Sequence, residues 1–143
     1  MKTVRVFIAL MIVPFLALAQ GFSNLDEAVS GLNRGFEGGD AGAIVAGIGE
    51  GDQVMLAFPG LVEESGFFGR DQASYLLANL FKKVEAQKFQ QMSARKNSAQ
   101  GQYNITANWT IGREGKSEER TLYITLTNKN GRWLVVSIRS GTR

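Results

Sequence analysis

The ten residues Gln102–Ile111, QYNITANWTI, alternate without a break. Tyr103, Ile105, Ala107, Trp109 and Ile111 take one set of positions, and Asn104, Thr106, Asn108 and Thr110 the other. A period of two points successive side chains to opposite faces, so this stretch predicts a strand with one buried and one wetted face. A buried face has to be covered, and the segments upstream carry the pattern to cover it.

Downstream the period of two continues. Lys88–Lys96 predicts a weakly patterned strand before the turn Ser98–Gly101, and Gly112–Glu119 reads as a polar loop. Arg120–Thr127 follows, with Leu122, Ile124 and Leu126 alternating with Thr121, Tyr123, Thr125 and Thr127. Asn128-Lys129-Asn130-Gly131 is a hairpin turn, and Arg132–Arg139 closes a four-stranded meander with Leu134, Val136 and Ile138 facing one way.

Upstream the spacing is helical. Leu25, Ala28, Val29, Leu32 and Phe36 share a face; Asn24 and Glu27 form a capping-box-like start, and Gly38-Gly39 ends the helix. Asp40 caps a second helix carrying Ala43, Ile44 and Ile48, kept short by a high density of glycine. Gln53–Phe58 predicts a short strand stopped by Pro59-Gly60, and Phe67-Phe68 a brief extended piece. In Asp71–Val84, Ala73, Leu76, Leu77, Leu80, Phe81 and Val84 make a wide apolar stripe suited to lying on a sheet. Asp71 at its start and Lys82-Lys83 at its end both suit the helix dipole.

Composition narrows the chemistry. The 143 residues include no His and no Cys, which excludes thiol nucleophiles, disulfides, His general bases and the common zinc ligand sets. Met1–Ala19 has the parts of a secretory signal peptide: Lys2 and Arg5, then the apolar run Val6–Leu18, then Ala17-Leu18-Ala19 as the cleavage site. The run is shorter than the roughly 20 residues that span a bilayer, so no membrane anchor is expected after cleavage. The expectation is an exported protein, periplasmic or secreted and soluble, with residues 20–143 as one domain. Without Lys2 and Arg5 the chain has 14 basic against 13 acidic residues, too even a balance for phosphate-backbone binding, so nucleic acid is not an expected partner.

Taken together, the signal peptide, LNRGFEGGDAGAIVAGI, QVMLAF, FFGRDQASYLLANLFKKV, KFQQMSAR before GQYNITANWTI, and the terminal RWLVVSIR carry a likeness over nearly all of the chain beyond the leader. In these the chain resembles the nuclear transport factor 2-like, or cystatin-like, superfamily, and within it the exported bacterial domain-of-unknown-function 4783 group. The resemblance implies an α+β fold: three N-terminal helices packed on a curved, mainly antiparallel sheet, in the shape of a cone. It transfers no catalytic residue. It also implies that a pocket often lies between sheet and helices, and that the outer sheet face often builds a homodimer.

On this reading the inward positions include Phe58, Leu77, Phe81, Tyr103, Trp109 and Leu122, with Ile105 and Ile124. They line an apolar cavity or fill a core, and the pattern favours the core. Asp40, Asp52 and Asp71 stand at element ends and Glu63 and Glu64 in a loop, so no pair of carboxylates falls on an inward face. No catalytic, metal or cofactor-binding residue is assigned. Glu50, Asp52, Glu63 and Glu64 lack calcium-loop spacing, and Asn104-Ile105-Thr106 and Asn108-Trp109-Thr110 match glycosylation sequons only because Asn and Thr share a wet strand face. Thr106, Asn108, Tyr123 and Thr125 are the candidate dimer face, with Tyr123 as anchor. Arg113, Glu114, Lys116, Glu118, Glu119 and Arg120 read as a solvated mixed-charge loop. The expected function is a non-enzymatic binding or interaction domain in the cell envelope. The alternative is a carrier or isomerase/dehydratase-like enzyme holding a small apolar ligand in the cavity.

Overall fold

The computed structural model describes residues 21–141; the expected signal peptide, residues 1–19, lies outside them. Among the described residues the order is α1 (Leu25–Gly38), α2 (Ala41–Val45), β1 (Gln53–Ala57), β2 (Gly66–Gly69), α3 (Arg70–Lys83), β3 (Glu85–Asn97), β4 (Gln102–Arg113), β5 (Lys116–Lys129) and β6 (Arg132–Ser140). The strands form one mixed sheet in the order β2-β1-β6-β5-β4-β3. β3 to β6 are the expected antiparallel meander. β1 joins it parallel to β6 and pairs antiparallel with β2, the extended piece at Phe67-Phe68.

The helix ends follow their caps. Asn24 Oδ1 accepts the Glu27 N–H at 2.8 Å, while the Glu27 carboxylate reaches one residue past the box to the Ser23 N–H at 2.7 Å. Those Ser23 hydrogen bonds hold the Glu27 carboxyl below its usual range. Gly39 ends α1 at a left-handed φ of 69°, and the Asp40 side chain caps α2 through the Ala43 N–H. Glycine here serves close approach rather than looseness. A Cβ on Gly35 would collide with Ile44, and one on Gly47 with the ring of Phe22. Phe22 in turn is bridged to Trp133 by two 2.8 Å main-chain hydrogen bonds.

β4 keeps its expected phase: Ile105, Ala107, Trp109 and Ile111 are buried, with Asn104 exposed and Thr106, Asn108 and Thr110 half-buried. They meet Leu32, Phe36, Leu77 and Leu80 of the helices in a single core. Two details correct the sequence reading. A bulge in β6 opposite Thr125-Leu126 shifts its phase, so Val135 and Ile138 join the main core cluster with Trp133, Leu134 is buried beside it, and Val136 is half-buried. The polar loop after β4 is only a tight turn at Glu114-Gly115, both at positive φ, so residues 116–119 belong to β5.

Candidate functional site

Trp109 is the centre of the inner face. It has no surface that a water could touch, and its ring lies 5.2 Å from Phe36, 6.2 Å from Phe81 and 6.5 Å from Phe58, each edge-on. Its indole N–H donates to the Phe36 carbonyl at 2.7 Å, so the one polar atom of the ring is satisfied inside the core. Phe58, Leu77 and Leu122 are buried around it, while Phe81 is half-buried at the rim. Tyr103 is not brought to this group. It stands further along β4, edge-on to Trp133 at 6.3 Å, and opens on a cleft beside Asn33, Arg34 and Gln91. Phe89 stacks on Phe36 at 5.7 Å and was hidden in the sequence, because bulges on either side of it break the period of β3.

Next to Trp109 the mixed-charge segment does something other than solvate. Arg120 lies directly opposite Trp109 in the ladder and is only 6% exposed. Its guanidinium donates to Glu118 at 2.8 Å and to the Pro59 carbonyl at 2.6 Å, and Arg113 donates to the Gly60 carbonyl at 2.9 Å and pairs with Glu118 at 3.1 Å. The Pro59-Gly60 turn is thus clamped over one end of the core, where the Leu61 and Val62 N–H groups both reach the Phe58 carbonyl. The hydrogen bond from Arg120 holds the Glu118 carboxyl below its ordinary value, more than burial raises it. A carboxylate kept ionised by two arginines is the reverse of a catalytic acid. The phase of β5 carries the signal for this: Glu118 and Arg120 share parity with Leu122. Asp40 is used as a cap, Asp52 faces Lys129 at 3.3 Å, and Glu63, Glu64 and Asp71 are exposed. Among the described residues no group of three or more Asp and Glu is placed to hold a metal ion.

The outer face is continuous across the sheet. In register, Phe67, Met55, Ser137, Thr125, Asn104 and Arg95 form one row over all six strands. Arg139, Tyr123, Thr106 and Ser93 form the row beside it, and Asn108 faces Thr121 beyond. Thr125 donates to the Asn104 side chain at 2.8 Å, and the Arg139 guanidinium lies 5.6 Å from the centre of the Tyr123 ring. Thr106, Asn108 and Thr125 are half-buried; Tyr123 is 43% and Phe67 68% exposed.

A mixed six-stranded sheet with helices packed over one face is an α+β fold. Residues 31–140 match the domain of unknown function family DUF4783, and the chain belongs to that family. Its fold is similar to a DUF4783 family protein from Bacteroides ovatus, with a TM-score of 0.63, 18% identity, and 77% of this chain and 90% of that one covered. A DUF4783 family protein from Bacteroides uniformis aligns with a TM-score of 0.66 at 13% identity, over 80% of this chain and 95% of that one. An NTF-2 like protein of unknown function from Shewanella oneidensis aligns with a TM-score of 0.56 at 19% identity, over 81% and 97%. No curated protein matches the chain. Among the described residues no helix is long and apolar enough to cross a membrane.

Proposed function

We propose that this chain is an exported, non-enzymatic interaction domain of the cell envelope, and that the outer sheet face is its contact surface, with a second copy as partner. The observation that carries the reading is the division of labour between the two faces. Trp109, Leu77 and Leu122 have no accessible surface, so the inner face around Trp109 is filled by side chains. The outer face presents Tyr123 and Phe67 among Thr and Asn side chains, the mixture of aromatic anchors and small polar neighbours that interfaces use. The leader at residues 1–19 supports export. Light scattering on the purified protein tests the contact: a mass twice that of the chain at micromolar concentration is expected, and a monomer at high micromolar concentration removes the second-copy reading.

A further inference from the structure

On its outward side, among polar neighbours, the helix α3 carries one exposed aromatic side chain, Tyr75. Tyr75 is 73% exposed and, with Leu76, walls an open cleft of about 650 Å³ whose opposite wall includes Phe68 of β2 and Val62. The cleft follows the helix and is electrically polar: Asp71 and Glu64 line it at the start of α3, Lys82 and Lys83 at the end. At 1.5 Å per residue the lysines stand roughly 11 Å along the axis from Tyr75. Lys82 and Lys83 also wall a second cleft, of about 620 Å³, between the end of α3 and the β4–β5 turn. Arg113 and Lys116 join them there, four cations against Glu85 and Glu114. Arg113 is engaged with Glu118, whereas among the described residues Lys82, Lys83 and Lys116 have no carboxylate within ion-pair reach.

We propose that the two clefts, which share the Lys82–Lys83 wall, together bind a single-chain amphiphile with an anionic head. The tail lies against the exposed ring of Tyr75 and the part-exposed Phe68, from which it displaces water. The head lies between Lys82, Lys83 and Lys116, whose ammonium groups donate charge-assisted hydrogen bonds to it. The same lysines offset the partial negative charge of the α3 C terminus, which would otherwise repel an anion. Asp71 and Glu64 repel the head from the other end, so the charge layout admits one orientation only. This surface lies on the helix side of the sheet and is independent of the outer-face contact.

Calorimetric titration of the purified protein with dodecyl phosphate, kept below its micelle-forming concentration, tests the site. Saturable one-to-one binding is expected. The double variant Lys82→Ala/Lys83→Ala should weaken it by about tenfold or more, the scale of one lost charge-assisted hydrogen bond. Tyr75→Ala should weaken it too, while Tyr123→Lys on the outer face leaves it unchanged. Dodecyl maltoside, with the same tail and a neutral head, and inorganic phosphate alone should each bind at least tenfold more weakly. Equal affinity in the lysine variant, with circular dichroism showing it folded, overturns the proposal. So does equal affinity for the maltoside, which is surfactant adsorption, or binding to anionic vesicles without binding to the monomeric amphiphile.

Discussion

The indole N–H of Trp109 on β4 donates to the main-chain carbonyl of Phe36, in the last turn of α1, at 2.7 Å. The last carbonyls of a helix have no partner within it. That of Gly35 is taken by the Gly39 and Asp40 N–H groups, and that of Phe36 by the sheet. One ring therefore fills the core and closes a helix end.

Trp109→Phe should lower stability by about 3 kcal/mol, from the volume lost and the carbonyl left buried without a partner. Urea unfolding followed by circular dichroism checks this, and the midpoint should fall with the slope unchanged. A loss below about 1 kcal/mol would mean that a water or another donor replaces the indole.

The Arg113–Glu118–Arg120 clamp makes stability depend on pH in a stated direction. The folded-state pKa of Glu118 lies below its ordinary value of 4.5, so the stabilisation is fully present above that value. It is lost as pH falls through the lower folded-state value, and Glu27 contributes with the same sign. The drop in Tm between pH 7 and pH 3 should be smaller in Glu118→Gln than in the unaltered protein. An identical drop in both would show that the clamp does not couple to folding.

Phe22 sits where glycine makes room for it. Its ring occupies the space that a Cβ on Gly31 or Gly47 would need, and it is 4% exposed. Gly47→Ala should destabilise by about 2 kcal/mol through overpacking, and Phe22→Ala by about 3 kcal/mol through the cavity it leaves. Their double variant should lose less than the sum, because the added methyl enters the vacated space. Strict additivity in thermal melts would contradict this packing.

On the outer face, Tyr123→Lys should alter association and little else. Tyr123 is 43% exposed on the outer face, with the Arg139 guanidinium beside its ring, so thermal stability at low concentration should change by no more than about 0.5 kcal/mol. Light scattering should show the variant as a monomer where the unaltered chain is doubled. A dimer unaffected by Tyr123→Lys and by Thr106→Lys would place the contact elsewhere.

The two faces of β4 were legible because its pairing with β5 runs without a shift from Gln102 to Arg113, so an even period in sequence stays even in space. The phase of β6 departs from its sequence period because one extra residue opposite Thr125-Leu126 moves Val135 inward in place of Val136. Phe89 stayed hidden for the same reason, with irregularities on both sides of it in β3. Arg120 is masked by its chemistry rather than by its period: a charged side chain at an inward position reads as surface until its partners are known.

By itself, the sequence determined the order of helices and strands, the apolar faces of α1, α3, β4 and β5, and that chemistry based on His or Cys is absent. Those are local properties, readable from periods of 3.6 and 2 and from composition. Only the tertiary structure decided which faces meet. It set Phe67 of β2 in one row with Thr125 of β5, turned Arg120 onto the Pro59 carbonyl, and placed Lys82 and Lys83 of α3 beside Lys116 of β5. Strand order and the seating of a helix on a sheet join residues far apart in the chain, and no local period encodes that adjacency.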